Sequence, residues 1–282
     1  MKDLIITSSD VVKFKAWLRD EEKSAATVNS YAQALTVFLG FMRGRPVTKE
    51  SVLAFKAEMR ERGTNPRTLN VRISAINRYF YSIGRNDLCT MQVKCQRRIF
   101  RDDSKDLTRG EYFKLVNTAY ARGDETTALI LQTLCGTGIR VSELRYVTVE
   151  GCLRGHVDVD NKGKVRTIFI CERLGDKLLE YAAEHGITTG AVFLAEGSTS
   201  PISRQDVWKR MNRIAERAGV EKSKVFPHNL RHLFALQFME REKDIVALAD
   251  ILGHSNINTT RIYLQQSANS VSERLQGLDL VT

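Results

Sequence analysis

Residues 128–134 read Ala-Leu-Ile-Leu-Gln-Thr-Leu, apolar nearly all round a helix. Such a helix must be enclosed by other elements, so the chain has to build a core deep enough to surround it. Gly136-Thr137-Gly138 cuts the helix short, and a new helical turn is expected near Arg140. With 282 residues, the chain has material for two domains, each with its own core.

The first hundred residues are patterned differently, as four amphipathic helices. Ser8, Ser9 and Asp10 are N-cap candidates before a stripe of Val11, Phe14, Trp17 and Leu18. A second helix, from about Ala25 to Met42, carries Val28, Tyr31, Leu35, Phe38 and Leu39. Thr48 is expected to cap a third, with Val52, Phe55 and Met59, and Asn65-Pro66 to open a fourth, with Leu69, Ile73, Ile76 and Phe80. The aromatic positions are read as core rather than as stacking platforms.

This half also holds the charge. Residues 1–100 carry 18 Lys/Arg against 9 Asp/Glu, whereas the remainder carries 25 against 24. Either the basic helices are only solvated faces, or the first domain holds a polyanion that the second works on. Lys13, Lys15, Lys23, Arg67, Arg72 and Arg78 are the cations expected to include contacts to DNA phosphates.

The polar segment Cys95–Asp106 has little periodicity and is read as a linker, and Thr108-x-x-Glu111 is a capping box opening the second domain. Val157-Asp158-Val159, the turn Asn161–Lys164 and the β-branched run Val165–Ile170 predict a hairpin. Helices are expected at about 172–185, 202–218, 228–240, 243–252 and 257–267, with a short strand at Val192-Phe193-Leu194. The five cysteines (Cys89, Cys95, Cys135, Cys152, Cys171) show no C-x-x-C spacing, which argues against zinc and against a disulfide framework; Cys135 and Cys171 are expected in the core. No run of eighteen apolar residues and no signal-peptide pattern occurs, so a cytoplasmic protein without membrane contact is expected.

Chemistry concentrates in two stretches. One is Gly136-Thr137-Gly138-Ile139-Arg140-Val141-Ser142-Glu143-Leu144. The other is Pro227-His228-Asn229-Leu230-Arg231-His232, an apolar helix, Leu252-Gly253-His254, and then Tyr263. Phosphoryl transfer is catalysed mainly by positioning and by positive charge around the phosphate oxygens, and arginine suits this with a permanent charge and a planar fork. His228 and Arg231 are three apart on one helix face. His254, at the Gly253 break, can donate a further hydrogen bond, and cations around Tyr263 should lower its phenol pKa from ~10. Each residue also has a bland reading: Arg140 and Glu143 as a structural ion pair, His228 as a helix-terminus residue, Tyr263 as packing.

In combination these residues resemble the tyrosine recombinases, the phage integrase or Xer family. Thr137–Leu144, His228-x-x-Arg231-His232, Leu252-Gly253-His254 and Tyr263 carry the resemblance in both order and spacing. Thr27-Val28-Asn29-Ser30-Tyr31 and Arg67–Arg72 look like helices of the family's core-binding domain. The resemblance implies a mainly α fold with a small β-hairpin: an all-helical, SAM-like core-binding domain at 1–98, a linker at 99–107 and a mixed α+β catalytic domain at 108–282.

It implies that Tyr263 attacks the scissile phosphate, forming a 3′-phosphotyrosyl bond and freeing a 5′-hydroxyl, with no metal, ATP or other cofactor. Arg140, Arg231 and His254 would stabilise the transition state, His228 would act as general acid/base, and Glu143 would support the site. The family lysine that protonates the leaving oxygen falls on Lys162 by motif placement, with Lys164 the alternative. The implied partner is double-stranded DNA at core recombination sites, held in a clamp by a tetramer of this chain or of this chain with a second recombinase. Leu275, Leu278, Leu280 and Val281 of the tail could dock on a neighbouring subunit or pack in cis. Asn229 and Leu233 fill variable positions of the family pattern. A type IB topoisomerase and a non-catalytic DNA-binding relative are the competing readings.

Overall fold

A computed structural model describes residues 4–94, 103–160, 165–254 and 256–264. Lys162 and Lys164, most of the expected linker with Cys95, and the tail after Leu264 lie outside the described residues. The chain divides into two units, Met1–Arg97 and Arg98–Thr282.

In the first unit, α1 (Ser8–Asp20), α2 (Ala25–Met42), α3 (Lys49–Glu61) and α4 (Pro66–Ser82) begin where side chains can satisfy the orphan N–H groups of a first turn. Ser24 caps α2, Thr48 caps α3, and Asn65 with Pro66 opens α4, the last two as expected. The cap of α1 is Thr7 rather than Ser8, Ser9 or Asp10. Asp10 instead completes the capping box, accepting from the Thr7 backbone N–H at 2.8 Å. Phe14, Leu18, Leu35, Phe38, Phe55, Ile73 and Phe80 are buried together, and Phe38 meets Phe55 edge-on at 5.2 Å.

The segment leaving α4 is laid back along that helix by two asparagines seven residues apart. Asn77 donates to the Thr90 carbonyl at 2.8 Å and accepts from its N–H at 3.1 Å. Asn70 does the same for Val93, at 2.9 and 2.8 Å.

The second unit contains α5 (Arg109–Ala121), α6 (Glu125–Thr137), α7 (Val149–Arg154), β1 (His156–Asp160), β2 (Val165–Phe169), α8 (Glu172–Glu184), α9 (Arg204–Ala218), α10 (Pro227–Arg241) and α11 (Ile245–Leu252). The helix that sequence requires to be enclosed is α6, whose Ala128, Leu129, Ile130, Leu131 and Leu134 are all buried. The Thr108–Glu111 box opens α5, and β1 and β2 pair antiparallel from His156↔Phe169 to Asp160↔Val165.

Several expectations are corrected. Val192 and Phe193 are buried, but they form no strand; isolated bridges at Thr148↔Ala191 and Leu194↔Pro201 bracket them. The expected helix at 257–267 is, in its described part, two 3-10 turns, Ile257–Thr259 and Arg261–Leu264. Cys171 is exposed at the N-cap of α8, and Cys135 is only half-buried. No described helix is long and apolar enough to cross a membrane.

Candidate active site

Two helices end on a left-handed glycine next to each other in space. α6 stops at Gly138 (φ +63°) and α11 at Gly253 (φ +62°), a conformation that costs little only for a residue without Cβ. A helix C-terminus leaves carbonyls unpaired and carries partial negative charge, so it attracts cations. Arg231, buried in α10, joins the two ends: Nη1 donates to the Gly138 carbonyl and Nη2 to that of Leu252, both at 2.6 Å. Arg140 lies just past Gly138 and donates to the Gly253 carbonyl at 3.4 Å. Two arginines distant in sequence are thus fixed by backbone carbonyls rather than by chance packing.

Glu143 neutralises part of this charge. It accepts from Arg140 Nη1 at 2.9 Å and from the Arg140 backbone N–H at 2.8 Å, and it is also bonded to Arg166 of β2. Burial alone would raise its carboxyl pKa, but the Arg140 N–H and the two guanidinium groups outweigh burial and hold it below the ordinary value. The structural ion pair and the site contact are therefore one arrangement. Burial, with Arg140 and Arg166 nearby, lowers Arg231 to about 10, and it remains charged at neutral pH.

His254 follows Gly253 directly, so the left-handed turn aims its ring back at Arg231. Arg231 Nη2 lies 3.1 Å from His254 Nε2, and Thr260 Oγ1 lies 2.8 Å from Nδ1. Burial first, then Arg231, Arg140 and Arg166, push the imidazole down to about 4. The ring is neutral at pH 7. Since a guanidinium can only donate, Nε2 accepts and the Nδ1 proton goes to Thr260. In this state the nitrogen facing the arginines offers a lone pair, not the hydrogen bond expected from sequence.

Tyr263, on the last 3-10 turn, is only 6 % exposed and packs with Ala235, Met239, Leu248 and Leu252. Its ring lies 5.1 Å from that of His232, which in turn lies 3.3 Å from Asp106. Burial raises the phenol pKa and Arg231 opposes this only in part, so the expected depression is reversed. The surrounding apolar side chains are stronger here than one partly neutralised arginine. His228, in the first turn of α10, is exposed; partial desolvation, with His232 and Arg231 adding positive charge, lowers its pKa. An open cavity of about 720 Å³ adjoins it, lined in part by Val141, Gln205, Trp208 and Phe226.

The structure brings Arg140, Glu143, Arg231 and His254 into one bonded network, with Tyr263 packed beside it and His228 at its edge. Arg166, Thr260, His232 and Asp106 were not anticipated as partners. Asn229 does more than occupy a variable position: it is buried and donates to the Lys105 and Lys224 carbonyls at 2.8 Å each. Among the basic residues of the first unit, Lys13, Lys23 and Arg67 are exposed and Lys15 is half-buried. Arg72 reaches the Met59 sulfur at 3.1 Å. Arg78 lies 4.8 Å from the ring centres of both Trp17 and Tyr81 and pairs with Glu21. Among the described residues no group of three or more His, Cys, Asp or Glu is arranged to hold a metal ion, and the charge they supply is guanidinium.

Residues 105–270 match the phage integrase family and residues 11–83 its N-terminal SAM-like domain. The chain belongs to this family and is a site-specific recombinase of the tyrosine class. It is 30% identical over 291 residues to tyrosine recombinase XerA of Pyrococcus horikoshii, covering 99% of this chain and 97% of that protein. It is likewise 30% identical over 282 residues to tyrosine recombinase XerC of Roseiflexus castenholzii, covering 91% and 88%. Among solved structures, XerH bound to its difH substrate matches with a TM-score of 0.71 at 20% identity, over 96% of this chain and 84% of that one. A lambda integrase dimer bound to a COC′ core site matches with a TM-score of 0.73 at 17% identity, over 93% and 77%.

Proposed function

We propose that the protein cuts and rejoins double-stranded DNA through a covalent bond between Tyr263 and a scissile phosphate. The observation that carries this reading is the arginine pair Arg140 and Arg231, held on two helix ends beside His254 and Tyr263. A phosphodiester monoanion entering there meets two fixed guanidinium groups, and added negative charge in the transition state meets them already in position. Tyr263 Oη attacks phosphorus, its proton passing to His228, whose lowered pKa keeps the ring free to accept it. The bond from phosphorus to the 5′ oxygen breaks, and Lys162 returns a proton to that oxygen. A 5′-hydroxyl of the partner strand reverses the step. The phosphotyrosyl bond conserves the energy of the broken ester, so neither ATP nor metal is required.

The raised phenol pKa of Tyr263 means that the resting protein holds a neutral nucleophile, and deprotonation accompanies attack. Lys13, Lys23 and Arg67, exposed on the first unit, are the cations offered to the DNA backbone; Arg72 and Arg78 are engaged within their own unit. Strand exchange requires four active sites on two duplexes, hence a tetramer assembled on DNA, of this chain alone or with a second recombinase.

The test is covalent trapping. Nicked suicide duplexes carrying candidate sites are incubated with the protein in the absence of metal and ATP, and a denaturation-resistant adduct with a free 5′-hydroxyl is expected. Tyr263→Phe should abolish it. An adduct that persists in Tyr263→Phe assigns the nucleophile elsewhere.

A further inference from the structure

Three successive carbonyls end α11, and each binds a different arginine. Ile251 accepts from Arg166, Leu252 from Arg231 and Gly253 from Arg140. Two of these arginines belong to the proposed chemistry. The third lies on β2, two residues after Lys164 in sequence.

Arg166 is engaged inside the protein. Its side chain is 10% exposed, against 37% for Arg140. Its Nη2 binds the Glu143 oxygen that also takes the Arg140 backbone N–H, and its Nη1 binds the Ile251 carbonyl. Its aliphatic stem occupies the space beside Gly253: a Cβ built there would overlap Arg166 Cδ and come within 3.0 Å of Nε. One side chain therefore joins the second strand of the hairpin, near its Asp160–Val165 end, the carboxylate that orients Arg140, and the turn that aims His254.

We infer that Arg166 is a positioning residue for strand cleavage, acting through Glu143 on Arg140 and through the end of α11 on His254. This rests on the proposed phosphotyrosyl chemistry. Losing the Arg166 guanidinium leaves, among the described residues, Glu143 with Arg140 as its one partner and the Ile251 carbonyl with none. Arg140 then loses the geometry in which it meets a phosphate and His254 the turn that aims it at Arg231, while DNA contacts elsewhere are kept. Errors of about 1 Å in such a site cost ~100-fold in rate.

Two variants, Arg166→Gln and Arg166→Lys, test it by two readouts. On suicide DNA at saturating protein, Arg166→Gln should form adduct ~100-fold more slowly and Arg166→Lys ~10-fold more slowly, with DNA affinity within about threefold of the parent. Arg166→Gln combined with Glu143→Gln should be no slower than the slower single variant, because both act on one unit. In the free protein, the imidazole NMR titration of His254, which faces Arg231, Arg140, Arg166 and His228, should move upward by at least about half a unit in Arg166→Gln. Full-rate adduct formation in Arg166→Gln, an unmoved His254 titration, or losses that multiply with those of Glu143→Gln would each overturn the inference. If the parent protein forms no adduct, the recombination chemistry fails instead, and the His254 titration still decides the role of Arg166. If Arg166→Gln does not fold, Arg166→Lys decides alone: parental rate with a parental His254 titration overturns it.

Discussion

Phe38 and Arg231 are both withdrawn from water, with Phe38 fully buried and Arg231 3% exposed. Phe38 sits among apolar rings whose attraction has little directional demand, and several neighbours share the load. Arg231 sits among carbonyls, a histidine and other arginines, where each contact depends on an angle and a partner. The first kind of burial yields stability that degrades gradually. The second yields a geometry that one missing partner disrupts, and folding pays for it with like charges held close together.

Substitutions that strike each region separately sharpen this contrast. Phe55→Ala in the first unit should cost ~3–5 kcal/mol of stability, read as an earlier unfolding transition, while protein that remains folded still forms adduct through Tyr263. A parental transition would show that the aromatic cluster is not the support of that unit. Gly253→Ala should cost less, ~2–3 kcal/mol, from the left-handed backbone and the displaced Arg166. It should nonetheless slow adduct formation far more than Phe55→Ala; equal rates for the two variants would remove the distinction.

The smallest effect is a pH dependence. Folded His254 titrates at about 4 against an ordinary 6.5, so between those values the unfolded chain binds a proton that the folded chain refuses. Its contribution is complete above ~6.5 and is lost as pH falls toward 4, worth ~1 kcal/mol once solvent screening is allowed for. His228 acts in the same direction. Chemical unfolding at pH 7 and pH 5 should give a smaller difference for His254→Asn than for the parent, and an unchanged difference would place the His254 pKa near its ordinary value.

The same contrast explains what could be read from sequence. The first unit was legible in detail because apolar burial writes itself as periodicity, and Thr48 and Asn65-Pro66 announce helix starts; Thr7 was passed over for its neighbours, and the Ser24 cap was not singled out. Helix α7 was missed because six residues are too few to show a period. The stretch around Tyr263 was taken for an α-helix where tertiary contacts impose 3-10 turns. Arg140, Glu143, Arg231, His254 and Tyr263 were singled out by the order and spacing that they share with the recombinase family, and the structure brings them close together, but no spacing reports which group outweighs which, and so the phenol pKa was expected in the wrong direction. Arg166 did leave a signal: it shares the inward side of its strand with Ile168, and a cation on an apolar strand face needs a partner.

The three arginines on the end of α11 have a further consequence. Among the described residues, Glu143 is the one carboxylate bonded to these guanidinium groups, and it reaches two of the three, Arg140 and Arg166; burial first, and then the neighbouring arginines, lower Arg231 and His254. On the proposed chemistry, the scissile phosphate is a further counter-ion for this corner. DNA bound there would then stabilise this corner as well as react in it, so that binding of a recombination site is linked to folding.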